Sequence, residues 1–335
     1  MGAAARGRPE VFDVSAGRDE QSKRGKQGCL APGRRETGQA IVFAVLFLPV
    51  LIAVAAFVLD VGTWFREDRA LQATVDAAVL AGAQGRGGGE AVDLALAYAD
   101  KNGGGVEPSD IFFETKIVSE DTLVVRGKRT VPASFSRLLG ITSVEIHAIA
   151  KARAANVSSA RWVAPITVNE LHPTLQCRCF GPGSPTEITL ADLHKPGSGD
   201  AAGAFALLEL DGGGGSAGES TVASWMAEGY EGFMPLGTYY SVPSAMFNGS
   251  AFRGALALRT GDDVLLPVYR PPVLEGGSTA RFAIVGWVGF HVTGATGGGA
   301  GAKIEGYFTE VIWEGVLSDD PSEPDFGVRA ITLIE

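Results

Sequence analysis

Residues 37–84 read TGQAIVFAVLFLPVLIAVAAFVLDVGTWFREDRALQATVDAAVLAGAQ, and two kinds of helix meet inside this stretch. From Ala40 to Leu59 there is no charged residue, and Pro49 is the only helix breaker. About twenty apolar residues at ~1.5 Å rise each span a hydrocarbon core of ~30 Å. A helix on the surface of a soluble domain would carry a polar face, and this segment carries none. The reading is a transmembrane helix from Ala40 to Leu59, with Pro49 tolerated as a kink.

The pattern changes after Asp60. Val61, Trp64, Leu71, Val75 and Val79 recur at helical spacing, Arg66, Arg69 and Asp76 fall on the other side, and alanines fill between them. Trp64 and Phe65 follow the apolar run directly, at the level where amphipathic rings favour the headgroup region. Gly82 and the glycines after Gln84 end the pattern. The expectation is one helix of more than forty residues, apolar in its first half and amphipathic in its second.

The same stretch carries a resemblance. Gly38-Gln39-Ala40, the apolar run with its internal Pro49, Leu59-Asp60-Val61-Gly62, Leu71-Gln72 and Asp76–Ala83 together resemble the start of Tad (tight adherence) pilus-assembly proteins, the TadE/TadG-like branch of the Flp pilus-assembly family. The motif residues are Gly38, Gln39, Asp60, Gly62 and Asp76. The resemblance implies a single-pass envelope protein of pilus biogenesis with no enzyme chemistry and no cofactor. It implies contacts with membrane lipid and with other pilus-assembly or pilin-like membrane proteins, and it leaves homo-oligomerisation open. By analogy with pilins, processing between Gly38 and Gln39 is a candidate event; pilin leaders place Glu at the fifth mature position, where Phe43 stands here. Small residues at Ala40, Ala44, Ala53 and Ala56 suit close helix approach in lipid.

Charge is unevenly distributed. The chain has 335 residues and a net charge of −10. Residues 1–39 hold eight Lys/Arg against five Asp/Glu, so the remainder is strongly acidic, which argues against nucleic-acid binding. Residues 1–36 are polar, rich in Gly and Arg and without periodicity, the composition of a disordered basic tail. Arg34 and Arg35 abut the span while its other flank is balanced, so the N-terminus is expected in the cytoplasm and the C-terminal bulk outside, at the cell membrane. A cleaved secretory signal fits less well, because the apolar run is too long and no A-x-A site follows Leu59 directly, Ala81-Gly82-Ala83 lying too far on.

The remainder reads as α+β. Residues 85–155 are expected to form a small α+β region: a helix over Glu90–Asn102, strands over Ile111–Val118 and Thr122–Val131, a short helix at Phe135–Gly140, and an alternating strand from Val144 to Ala152. Arg126-Gly127-Lys128-Arg129 is expected to interrupt the second strand. Residues 156–335 show short strand patterns between Gly/Ser/Pro clusters, the signature of an antiparallel, sandwich-like ectodomain. Leu256–Leu258 is counted among those strands, and Ser224–Tyr230 as a short helix.

Few residues invite chemistry. His172, Cys177, Cys179 and His194 form H-x4-C-x-C-x14-H, which matches no common zinc spacing. Outside the cytoplasm a disulfide of Cys177 and Cys179, within the chain or between chains, outranks a metal site. The glycine runs complete no phosphate loop, and no H-E-x-x-H helix occurs. The readings that compete with pilus assembly are a membrane-anchored, metal-dependent enzyme built on the His/Cys set, and a ligand-binding or structural surface protein.

Overall fold

The structure is a computed structural model that describes residues 37–85, 88–191, 197–274, 280–298 and 301–334. Residues 1–36, expected to be a disordered tail, and His194 lie outside the described residues. The chain divides into two compact units, residues 1–55 and 56–335.

In the first unit the described residues belong to helix α1 (Thr37–Gly82), which carries Pro49 internally without a break. The large apolar side chains from Ile41 to Val54 are 54–65% exposed. Among the described residues, α1 is the one helix long and apolar enough to cross a membrane. A side-chain sheath so apolar and so uncovered is stable in lipid and costly in water.

The second unit begins within α1 and continues through α2 (Gly88–Lys101) to two sheets. The first sheet is built on β1 (Ile111–Glu114), β2 (Thr122–Pro132) and β3 (Ser143–Ala160). The antiparallel register of β2 with β3 runs unbroken from Thr122↔Arg153 to Pro132↔Ser143. On β3, Ile146, Ala148, Ala150 and Ala152 are buried and alternate with outward residues, as the period-two pattern requires. Leu71, Val75, Ala78 and Val79 of α1 share a core with this face and with α2.

β2 does not break at Arg126–Arg129, contrary to expectation. A Cβ on Gly127 would lie 2.7 Å from Val75 Cγ1 and 3.1 Å from Leu71 Cδ1, so the glycine lets α1 lie close on an intact strand. It is a packing residue, not a turn.

The second sheet comprises β4 (Ile166–Asn169), β5 (Thr186–Leu190), β6 (Ala204–Leu207), β8 (Gly237–Tyr240), β9 (Asp263–Leu274), β10 (Arg281–Thr296) and β11 (Lys303–Thr309). Its order is β11-β5-β6-β4-β9-β10-β8, and β10 also pairs with β11. Six strands therefore close into a ring with β8 on its rim. The expected antiparallel sandwich is corrected in this respect: β4–β9 and β5–β6 are parallel pairs, and closure removes sheet edges a sandwich would leave open. Six successive residues of β9, Val264–Tyr269, are buried, so both its faces are covered.

The short helix α3 (Pro173–Gln176) precedes β5, while α4 (Glu219–Glu228) and α5 (Ser250–Leu258) pack on each other. Leu256–Leu258, read as a strand, is the last turn of α5: Phe252, Ala255 and Leu256 are buried on one helical face. Phe252 meets Phe247, which meets Phe205 of β6. An apolar run this short fits either structure until its neighbours are known.

The boundary drawn at residues 155 and 156 falls in the middle of β3. Beyond it β3 pairs with β7 (Met234–Pro235) and β13 (Gly315–Leu317). The last strand, β14 (Val328–Ile334), returns to pair with Lys151–Asn156 and carries β12 (Val311–Ile312) on its other edge. Residues 85–155 and the C-terminal strand thus complete one sheet.

Replacing Gly127 with Val places two methyls where Leu71 and Val75 already pack. Urea unfolding is expected to show a loss of about 1–3 kcal/mol, the usual cost of overpacking a tight core.

Candidate functional site

The polar chemistry of the Tad-like stretch concentrates where the apolar run ends. Asp60 is 3% exposed. Its Oδ1 accepts the backbone N–H of Ser134 at 3.0 Å, and its Oδ2 accepts those of Phe135 at 2.9 Å and Ser136 at 2.5 Å. The three amides open a single 3-10 turn, Ser136–Leu139, closed by Gly140 at φ +88°. A carboxylate receiving three amides satisfies its lone pairs and the donors that the turn leaves without partners. The turn is closed further by Ile141 N–H to Ser136 O and Ala133 N–H to Thr142 O.

Three polar ties join the following turns of α1 to the rest of the chain. Glu67 pairs with Arg129 at 3.1 Å, and Arg129 also donates to the carbonyls of Gly103 and Gly104. Gln72 Nε2 donates to Asp76 Oδ1 at 2.8 Å and to Ile149 O at 3.1 Å. Thr74, fully buried, donates to Asn102 O. At the helix end, Gly82 lies so close to Leu123 and Ala91 that any side chain would collide with them. Asp76, expected on the solvent face, is half-buried and held by Gln72. Gly62 lies open, with nothing among the described residues within 4 Å of a Cβ placed there.

Residues 38–85 match the Tad family, "Putative Flp pilus-assembly TadE/G-like". No curated protein and no solved structure gives a significant match to the chain. The Tad segment covers α1 from its second residue to its end, including the motif positions Gly38, Gln39, Pro49, Asp60, Gly62 and Asp76. In its second half, the residues it supplies are those that pack α1 onto the first sheet.

Beyond the end of α1 lies a polar cleft of about 270 Å³, lined among others by Gly82, Asp121, Arg153, Asn156, Asp325 and Arg329. Its charges are largely satisfied. Buried Arg153 meets Asp121 at 3.0 Å and Asp319 at 2.5 Å and donates to Ser318 O. Asp121 accepts the amides of Lys116, Ile117 and Val118. Burial alone would raise its pKa, but these amides and the Arg153 guanidinium outweigh it and bring it down to about 2.

The His/Cys set is dispersed into structural tasks. Cys177 and Cys179 are joined by a disulfide within the chain. His172 is buried; its Nδ1 accepts the Thr174 amide at the start of α3, its Nε2 faces Thr186 Oγ1, and its ring stands edge-on to Phe308. Burial holds its pKa below the usual imidazole value. Among the described residues no group of three His, Cys, Asp or Glu side chains gathers as metal ligands.

Sequence reasoning singled out Asp60 but missed its partners. They are backbone amides some 75 positions away, and an amide leaves no trace in composition or periodicity.

Two outcomes test this geometry. Asp60→Ala should lower hydrogen-exchange protection at the Ser134–Ser136 amides by about tenfold or more, because three amides lose their acceptor. Asp121 is the pH reporter. Its folded pKa lies below the unfolded value of ~3.9, so its stabilisation is complete above that value and lost as pH falls toward about 2. Asp121→Asn should remove about 1–2 kcal/mol of stability at neutral pH, with the difference from wild type shrinking across that acid window in pH-dependent unfolding curves.

Proposed function

We propose that the chain is a single-pass envelope protein of Tad/Flp-type pilus biogenesis, acting as an assembly factor or a minor pilin-like subunit. The observation that carries this reading is the coincidence of the Tad match over residues 38–85 with a helix whose apolar side chains from Ile41 onward are uncovered. In this reading the Ala40–Leu59 stretch lies in the cell membrane with the N-terminus in the cytoplasm, on the strength of Arg34 and Arg35 beside it. Ala40, Ala44, Ala53 and Ala56 supply the small side chains over which a neighbouring pilin-like helix packs. The ectodomain works by surface recognition, and the role involves no catalytic step.

The dense fastening of α1 to the first sheet supports a mechanical role. Force applied to the helix passes into the sheet through the Asp60 clamp, the Glu67–Arg129 pair and the Leu71/Val75/Val79 ridge.

The test is the N-terminal residue and intact mass of the native protein extracted from membranes. A mature chain beginning at Gln39 identifies a processed, pilin-like subunit, and a longer chain retained in the membrane identifies a permanent assembly factor. Recovery as a soluble cytoplasmic protein overturns both.

A further inference from the structure

We propose that the loop held by Asp60 is a second membrane contact, with Phe135, Leu138 and Ile141 seated in the boundary between headgroups and acyl chains; this rests on the membrane-anchored reading of α1. A solitary exposed leucine on a soluble surface would need no explanation. Here three large apolar side chains within seven residues are uncovered together: Phe135 is 47% exposed, Leu138 89% and Ile141 38%. Residues 133–142 contain no acidic residue, and their single charge is Arg137, which is exposed. That composition suits an interfacial segment, with an arginine stem lying along apolar surface and its guanidinium reaching lipid phosphate.

Position argues for lipid over other occupants. Asp60 is the residue immediately after the apolar run, and its carboxylate holds the amides of Ser134, Phe135 and Ser136. Phe57, Val58 and Leu59, in the turn of α1 just before it, are themselves 42%, 62% and 61% exposed. Three residues of helix rise cover only about 4.5 Å, less than the roughly 5–7 Å depth of one headgroup layer. The apolar loop is therefore continuous with the last lipid-facing turn of the helix. The loop is also pre-formed: the clamp, the Gly140 closure and the Ala133–Thr142 bond fix it, so little ordering entropy opposes insertion.

The test uses the full chain in phosphatidylcholine/phosphatidylglycerol vesicles, in a Cys29→Ser background with the Cys177–Cys179 disulfide intact. An environment-sensitive NBD label is placed at Leu138→Cys and, in a separate protein, at Phe47→Cys within the span. Lipids carrying a nitroxide near the headgroup and aqueous iodide serve as quenchers. Because an interfacial segment sits roughly 5–10 Å into the boundary, the label at 138 should lose on the order of half its emission to the nitroxide lipid and be shielded from iodide. Quenching by lipid at 47 but not at 138, with 138 open to iodide, overturns the loop contact and leaves the anchor standing. Shielding of 138 from both quenchers means that protein covers the loop, which also overturns the proposal. If neither position responds to the lipid quencher, the anchored reading has failed and the loop contact falls with it.

Discussion

The carboxylate of Asp60 is the constraint on which much else depends. It sits one residue beyond a stretch with no polar side chain for hydrogen bonding, and it satisfies three amides of a turn remote in sequence. An acid buried at that depth would be costly if it lacked partners. With three N–H donors directed at it, the same burial fixes the rotation of α1 about its axis, because only one helical face can present Asp60 to residues 134–136. The ridge of Leu71, Val75 and Val79 then follows on the face that meets the sheet.

Close approach comes from the absence of side chains. Gly127 on β2 and Gly82 at the helix end occupy points where a Cβ would overlap Val75 and Leu123. Dispersion forces fall off steeply with separation, so a helix and sheet in direct contact gain more than a pair held apart by one methyl layer. The polar ties around this contact, Glu67–Arg129 and Gln72–Asp76–Ile149 O, are individually modest because they are partly solvated. They set register more than they add stability.

The ring of strands that follows has a different logic. Its largely aliphatic core includes the fully buried aromatics Phe205, Phe282, Phe290 and Phe308, with Phe290 edge-on to Phe308. Buried polar residues there serve the backbone. Glu209 accepts the amides of Ser216 and Ala217, and Asn169 donates to carbonyls of the 199–201 segment. The glycine-rich segment at 212–218, which completes no phosphate loop, thus wraps a carboxylate of its own chain.

What the sequence determined by itself is local or periodic. The uncharged run from Ala40 to Leu59, the helical recurrence through Val79 and the alternation from Val144 to Ala152 each express one element and one face, so they can be read without knowing any neighbour. The Tad-like motif, Asp60 included, was legible for the same reason. Tertiary structure decided the rest. Gly127 reads as a strand breaker until Leu71 and Val75 are seen against it, and Leu256–Leu258 reads as a strand until Phe252 and Phe247 give it a helical face. In the His/Cys set the sequence already ranks the disulfide above a metal site, and the tertiary structure adds the place of His172 at the start of α3. Closure of the ring depends on β10 meeting β11 while β4 and β5 run parallel to β9 and β6, pairings between strands that no local signal connects. Contacts between distant residues depend on shape and on backbone hydrogen bonding, and neither is written in the order of side chains along a segment.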